Sequence, residues 1–452
     1  MPWIVNMTKL SGTILDGEGR PEGRGAGTEP RSVAITPVEQ SRSLGRAFVI
    51  AWLCCTVFYF LEYAVRAAPA AMIPELSDLF GVSALGVSSI LGVYYYTYST
   101  FSLVAGGLLD RLGARLVIPA GALILGLGCL LFSVPNSLAG DVGRLLQGGG
   151  SAFAFTGAVY LAAHGLPAKR LATAIGFTQC VGMLGGSVGV LAVAPLIHGS
   201  LGTPGFWSAM GILVVAVAVA LFMATPKEQH LEGGTASLAG MLQSYKVVFS
   251  NPQSYLCGLV AGLLFAPTTI FDMVWGVRYL EQDNLFSYQS AVFAGSMVPL
   301  GWVVGCPVFG WLADTLGRRK PPLMFGMALL LVMILQMTYA RELLPVPVSL
   351  FISGFASGVA MIPYSIIKEV NPDNVKGSAT GAMNFLTFSV TAVLGPIFAH
   401  SFGKTLGGSL DRATHLRHSF FFWFAVIVLA MVVTLALQET GAAVQRKRVV
   451  SG

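Results

Sequence analysis

From residue 46 onward the chain alternates between apolar runs of about twenty residues and short polar connections, and a run of that length carries a helix across a bilayer core. Twelve such runs are expected. Six lie near 46–73, 84–109, 116–134, 138–163, 171–198 and 206–224. Six more lie near 255–280, 288–313, 321–340, 344–368, 376–401 and 418–437. In hydrocarbon the backbone polar groups must be satisfied inside a helix or a closed barrel. The strict alternation of barrel strands is absent from the chain. The fold class expected is therefore an all-α polytopic membrane protein with twelve transmembrane helices.

Composition agrees. The 452 residues are 54% hydrophobic and 11% charged, against about a quarter charged in soluble domains. The formal charge is +6, but Lys and Arg sit between the apolar runs, where they read as topology signals and not as a nucleic-acid surface. The six cysteines fall inside apolar runs without CxxC spacing, so they read as small buried side chains. Neither a metal nor a cofactor is implied.

The division expected along the chain follows. Residues 1–45, rich in Gly, Arg, Glu, Ser and Pro, form a disordered tail. Residues 46–224 and 255–437 form two bundles of six helices, 225–254 a linker, and 438–452 a basic tail. Within the linker, Met241, Leu242, Tyr245, Val248 and Phe249 have helical spacing. They fit either a short helix on the membrane surface or a plain tether.

Charge orients the chain. Even-numbered connections carry Arg111 and Arg115, then Lys169 and Arg170, then Arg318, Arg319 and Lys320, then Lys368 and Lys376. The first three odd-numbered connections lack Lys and Arg, although the last one holds Lys404, Arg412 and Arg417. Positive charge marks the cytoplasmic side, so the linker and both termini are expected there, with a bacterial plasma membrane as the setting.

The two halves repeat. GGLLDRLGAR at 106–115 is matched by GWLADTLGRRK at 310–320. Gly106, Leu108, Asp110 and Gly113 recur as Gly310, Leu312, Asp314 and Gly317, each 204 residues later. Ala174 and Gly176 recur as Ala379 and Gly381, and Pro195 as Pro396. Internal symmetry of this kind marks many secondary transporters, so the two bundles are expected to be pseudo-symmetric.

The repeated GxLxDRxG connection resembles the signature of the major facilitator superfamily. Arg144, Gln147, Gly148 and Gly150 are similar to a second superfamily pattern, RxxQGxG, in the fourth span. The glycine–proline motif of drug–proton antiporters is poorly matched, because no proline follows Gly189. The resemblance implies two six-helix bundles rocking around a central site. It casts Gly106, Asp110, Arg111, Gly113 and Arg115, with Gly310, Asp314, Gly317, Arg318 and Arg319, as a cytoplasmic gate. Asp110 and Asp314 read as a charge latch between bundles or, less specifically, as part of a topology anchor.

Ionisable residues inside spans are costly and mark function. Glu62 and Arg66 lie four apart in the first span and share a face. Arg144 lies in the fourth span, with Glu62, a backbone carbonyl or a substrate as its candidate partner. Asp272 lies in the seventh at a position corresponding to Glu62; either the two acids face one central cavity, or Asp272 belongs to a hydrogen-bonded helix-breaking site near Pro267. Tyr94, Tyr95 and Tyr98 sit in mid-span, where hydroxyls line a polar cavity or bond to neighbouring backbone. These residues are the candidate substrate and proton site. Arg66 followed by Pro74-Glu75-Leu76 resembles the first helix of anion–cation symporters, in which the Arg grips a carboxylate. Val65 and Ala68 replace that family's Asp and Asn. Trp275-Gly276-Val277 and the stretch Lys368 to Pro372 resemble a bacterial branch related to lysosomal dipeptide transporters.

The function expected is transport of a small polar, carboxylate-bearing solute by alternating access, with proton coupling open. An uncoupled dipeptide facilitator and a non-transporting sensor on the same fold are the alternatives. An enzyme is not expected: the six histidines are scattered, and HExxH and phosphate-loop motifs are absent. The orientation is checked by single cysteines placed beside Arg115, Arg170 or Arg319 on a cysteine-free background. An impermeant thiol reagent should fail to label them in intact cells, and labelling at all three sites would invert the topology.

Overall fold

The structure, a computed structural model, describes residues 37–166, 168–227, 238–282, 286–372, 375–406 and 412–441. The side chains of Asp110 and Arg111 fall outside the described set. Among the described residues every regular element is helical.

The first half runs α1 (Pro37–Ala67), α2 (Ile73–Phe80), α3 (Ala84–Leu112), α4 (Ala114–Phe132), α5 (Ser137–Gly165), α6 (Ala168–Leu196) and α7 (Gly202–Ala224). A linker helix, α8 (Leu238–Phe249), leads to α9 (Pro252–Ala266), a π-helical stretch (Pro267–Trp275) and α10 (Gly276–Gln282). Then come α11 (Tyr288–Leu316), α12 (Lys320–Tyr339), α13 (Val346–Ser357), α14 (Ile362–Val370), α15 (Lys376–Leu406) and α16 (Arg412–Ala436). Twelve helical segments occupy the twelve expected runs, with α9–α10 and α13–α14 each serving as one interrupted segment. Among the described residues nine are long and apolar enough to cross a membrane, or ten if α2 and α3, bent by 96°, count as one. Glycine-rich α5, with Asp141 and Arg144, and α16, whose apolar part is Phe420–Ala436, complete the twelve.

Local chemistry sets the boundaries. Pro69 and Pro74 break the first span, giving a 3₁₀ turn and then α2. The Asn136 carboxamide accepts from the backbone N–H of Leu138 and Ala139 at the start of α5. Asn251 caps α9 in the same way, ahead of Pro252. The repeated motif ends α3 and α11 alike: Gly113 and Gly317 have φ of 74° and 61°, which favours glycine.

Two departures from expectation concern boundaries. α1 already begins at Pro37, ahead of residue 46, so the helix extends into the segment expected to be disordered. Residues 1–36 lie outside the described set. The linker holds a real helix, α8, on the residues whose spacing suggested one, and not a plain tether.

Packing within the halves depends on small residues, because lipid supplies no hydrophobic drive between helices. A Cβ on Gly185 of α6 would sit 2.1 Å from the Phe60 carbonyl oxygen of α1, and one on Gly354 of α13 would sit 1.9 Å from that of Val298 of α11. Gly310 differs, since a Cβ there would meet nothing within 4 Å. Its place in the repeat does not reflect close helix approach.

The halves meet along two seams. α3 lies against α15, where Ser99 donates to the Phe385 carbonyl at 2.9 Å and pairs with Ser389 at 2.7 Å. α6 lies against α11, where Ser187 donates to the Ser296 carbonyl at 2.9 Å and the Cys180 thiol to that of Val303 at 3.5 Å. The seam partners hold equivalent places in the repeat, so each seam mirrors the other.

Gly354→Val should destabilise the protein by about 1–3 kcal/mol through overpacking, whereas Gly310→Ala should not. Thermal melting of the purified variants compares them, and equal melting temperatures would refute this account of the packing.

Candidate substrate site and charge cluster

The centre of the molecule is a buried ion pair on one helix face. The α1 backbone places Glu62 and Arg66 one turn apart, and Arg66 Nη2 donates to Glu62 Oε1. The Tyr94 hydroxyl of α3 donates to the same oxygen and accepts from Arg66 Nε at 3.2 Å. Both charged side chains are completely buried. Yet Glu62 Oε2 and Arg66 Nη1 have no hydrogen-bond partner.

Aromatic rings enclose the guanidinium. Its carbon lies 4.5 Å from the Tyr63 ring centre, 4.6 Å from Tyr98, 5.2 Å from Tyr94 and 5.3 Å from Phe388. Each cation–π contact stabilises the charge that desolvation penalises. Tyr63 and Tyr98 come from the first half and Phe388 from the second. The same three rings line a narrow central cavity of about 10 Å³, with Tyr59, Gln179, Tyr364 and Asn384 among its other walls. That volume holds about one water. Tyr59 donates to Gln179 at 3.0 Å, and Tyr364 to Asn384 at 2.8 Å. Arg66 thus borders a polar aromatic chamber at the seam.

Arg144 makes a second buried station beside it. Its Nη1 donates to Gln147 Oε1 at 2.7 Å and to the Val65 carbonyl at 3.3 Å. Its guanidinium stacks on Tyr94 at 4.8 Å, the ring that also faces Arg66. Of the partners expected for Arg144, the backbone carbonyl is the one found.

Asp272 is elsewhere. It lies in the π-helical stretch and lines a separate cavity with Thr268, Ser353 and Ser357, among apolar neighbours from α11, α12, α13 and α16. This cavity and the chamber beside Arg66 have no lining residue in common. Equivalent repeat positions do not ensure equivalent facing, because the wider π turn rotates the seventh segment locally. Tyr95 also turns from the chamber and donates to the Thr269 carbonyl at 3.0 Å, tying α3 to the second half.

Sequence reasoning missed Tyr59, Tyr63, Gln179, Tyr364, Asn384 and Phe388. Tyr59 lies three residues before Glu62 and Tyr63 three before Arg66, and both were findable by helical spacing. The others come from distant segments, and nothing local marked them.

The repeated connection in the second half carries an ion cluster. Arg319 bonds Glu369 of α14 at 2.7 Å and Asp314 of α11 at 2.6 Å. Burial works against the Arg319 charge, but hydrogen bonds to Glu369 and Asp314 outweigh it and raise its pKa above the ordinary value. Glu439 accepts from the backbone N–H groups of Arg319 and Lys320 at 2.8 and 3.0 Å, and pairs with Arg318 at 3.5 Å. These contacts all lie within the second half, so the described part of the cluster does not latch one bundle to the other. In the first half, Arg115 stacks on Phe222 at 4.9 Å. Gly106 lies beside the Tyr245 hydroxyl of α8, which donates to the Leu103 carbonyl at 3.0 Å. A Cβ on Gly381 of α15 would come within 2.8 Å of that hydroxyl. Among the described residues, the linker helix joins the halves at this end.

An all-helical membrane fold with twelve segments, two mirrored seams and a charged chamber between them is that of a secondary transporter. The Major Facilitator Superfamily sequence model matches residues 55–396 and 257–449, and the chain belongs to that superfamily. It is 23% identical over 414 residues to the multidrug transporter MdfA of Edwardsiella piscicida, covering 87% of this chain and 96% of the relative. It is 22% identical over 361 residues to a D-galactonate transporter of Escherichia coli O6:H1, covering 72% and 82%. Its fold is similar to that of a bacterial homologue of the human lysosomal transporter Spinster, solved inward-facing and unoccupied. The TM-score is 0.71 at 14% identity, over 86% of this chain and 97% of that one.

Asp314 is 73% exposed in its side chain and Glu369 only 21%. Asp314→Asn should therefore cost about 0–1 kcal/mol, and Glu369→Gln about 1–3 kcal/mol. Melting of the two variants ranks them, and a larger loss for Asp314→Asn would show that exposure does not govern the cluster.

Proposed function

We propose that the chain moves a small polar solute bearing a carboxylate, and that Arg66 is the group that grips it. The carrying observation is Arg66 itself: a fully buried guanidinium at the seam, with Nη1 unpartnered and rings from both halves around it. A carboxylate fits the two-pronged donor. Gln179, Asn384 and the tyrosine hydroxyls supply neutral polar contacts to the rest of a solute. The D-galactonate transporter among the relatives acts on a carboxylate, which supports the reading. The bundles 46–224 and 255–437 rock about the two seams, with the linker, both termini and the repeated connections on the cytoplasmic side of a bacterial inner membrane.

Glu62 is the proposed carrier of a coupling proton. In the structure it neutralises Arg66. A substrate carboxylate arriving at Arg66 displaces it and leaves an acid in an apolar wall, where the charged form is disfavoured. Protonation then accompanies binding, and the buried charge count stays at zero.

Proteoliposome uptake tests this with a sugar-acid and dipeptide panel, and with a lipophilic cation as comparison because of the multidrug relatives. Loss of one charge-assisted bond corresponds to roughly ten- to a hundredfold weaker binding. Arg66→Lys should show it, since ammonium cannot replace a planar fork. Glu62→Gln should abolish proton-driven accumulation yet retain exchange. Wild-type uptake indifferent to a proton gradient would instead favour the uncoupled dipeptide facilitator. Transport of the cation alone would defeat the carboxylate reading.

A further inference from the structure

A cavity of about 290 Å³ lies outside the solute chamber, in the wedge between α3, α15 and the π-helical stretch. It has no lining residue in common with the chamber. The α3–α15 seam is closed where Ser99 meets Phe385 and Ser389. It is open between Ser88 and Tyr96 of α3 and Thr391 and Ala399 of α15. Ser88 to Tyr96 spans about 12 Å of helix, close to the roughly 15 Å of hydrocarbon in one leaflet. This is the end of α3 away from its basic connection, hence the outer leaflet in the orientation proposed above.

The wedge is continuous with the lipid-facing surface. Tyr96, which lines it, is 49% exposed, and Val393, beside the lining residue Ala392, is 62% exposed. Two glycines keep it open: a Cβ on Gly92 of α3 or on Gly395 of α15 would meet nothing within 4 Å. They differ from Gly185 and Gly354, where a neighbour's carbonyl fills that space. Water is excluded at hydrocarbon depth, so a space that opens there is one for hydrocarbon.

Ser88 adds a polar anchor. It lines the cavity, is 7% exposed, and its hydroxyl has no hydrogen-bond partner among the described residues. The other buried hydroxyls of the lining are engaged. Tyr95 donates to the Thr269 carbonyl, and Thr269 Oγ1 donates to the Phe265 carbonyl at 3.0 Å and pairs with Thr391 at 3.3 Å. A buried donor left unmade is costly and rare. Ser88 lies about one turn into α3, near the level at which lipid ester carbonyls, which only accept, meet the hydrocarbon.

We infer that this wedge holds one acyl chain of a membrane phospholipid, with the Ser88 hydroxyl donating to the lipid's ester carbonyl. The chain bears on the solute chamber through Tyr95. That residue lines the wedge and ties the halves through Thr269, and its ring lies parallel to that of Phe388 at 6.2 Å. Phe388 in turn lines the chamber. The inference stands whatever solute Arg66 takes.

The test places the full-length protein in phosphatidylcholine vesicles doped with a phospholipid brominated in mid-chain, since bromine quenches tryptophan at contact. Trp275 lines the wedge and is 1% exposed, whereas Trp311 is 67% exposed and reports bulk lipid. Subtracting the signals of Trp275→Phe and Trp311→Phe from the wild type isolates each residue. Trp275 should be quenched saturably at low doping, while Trp311 follows the bulk fraction. Gly92→Leu and Gly395→Leu, which fill the wedge, should each remove most of the Trp275 quenching and leave that of Trp311 unchanged. Ser88→Ala should raise the half-saturating fraction roughly two- to tenfold. Trp275 quenching that both filling variants leave intact overturns the proposal, as does relief of the quenching by a lipophilic cation, which would assign the wedge to a solute. An unquenched Trp275 in the wild type overturns it even where the variants fail to fold.

Discussion

The Glu62–Arg66 pair is the constraint on which the rest of the structure depends. Two opposite charges completely removed from water are tolerable only with close geometry and further hydrogen bonds. Helix α1 supplies the geometry through its four-residue spacing. The Tyr94 hydroxyl, which bonds both partners, supplies the bridge. The rings of Tyr63, Tyr98 and Phe388 supply polarisable walls. Removing one partner would strand the other charge, so the pair holds α1, α3 and α15 in register. The same logic makes it a switch. In the proposed function a solute carboxylate replaces Glu62 at Arg66 with little change in buried charge.

The framework around the pair divides rigid from movable contacts. Within each half, helices approach closely enough that carbonyl oxygens fill the space of a missing Cβ, as at Gly185 and Gly354. Between halves, the described hydrogen bonds run mostly to backbone carbonyls, from Ser99, Ser187, Cys180 and Tyr95, beside the Ser99–Ser389 hydroxyl pair. Each such bond is worth about 0.5–1.5 kcal/mol net. Tight bundles joined by weak, separable bonds suit two bodies that move against each other. Tyr288, which donates to the Ala71 carbonyl at 2.6 Å, and Tyr245 on the linker helix make such ties at opposite ends.

Much of this was legible in the sequence because one-dimensional patterns have direct physical causes. Runs of twenty apolar residues gave the helices, and the repeat gave the two halves. The Glu62–Arg66 pair followed from spacing alone. The facing of Asp272 was not legible because the π-helical stretch at Pro267–Trp275 breaks the 3.6-residue period that underlies any statement about facing. The chamber walls Gln179, Tyr364, Asn384 and Phe388 were invisible because they meet only through tertiary packing. The Arg319 partner was hidden for a similar reason: Glu369 lies fifty positions further along the chain.

The central claim is that Arg66 selects for a carboxylate. Ligand-induced shifts in melting temperature, compared for a small acid and its neutral amide, test it without any assay of flux, since a ligand stabilises the state that it binds. The account predicts that the wild type is stabilised by the acid well beyond the amide, and that Arg66→Lys responds to both alike. A wild type that responds equally to acid and amide, or an Arg66→Lys variant that keeps the full preference, would contradict it.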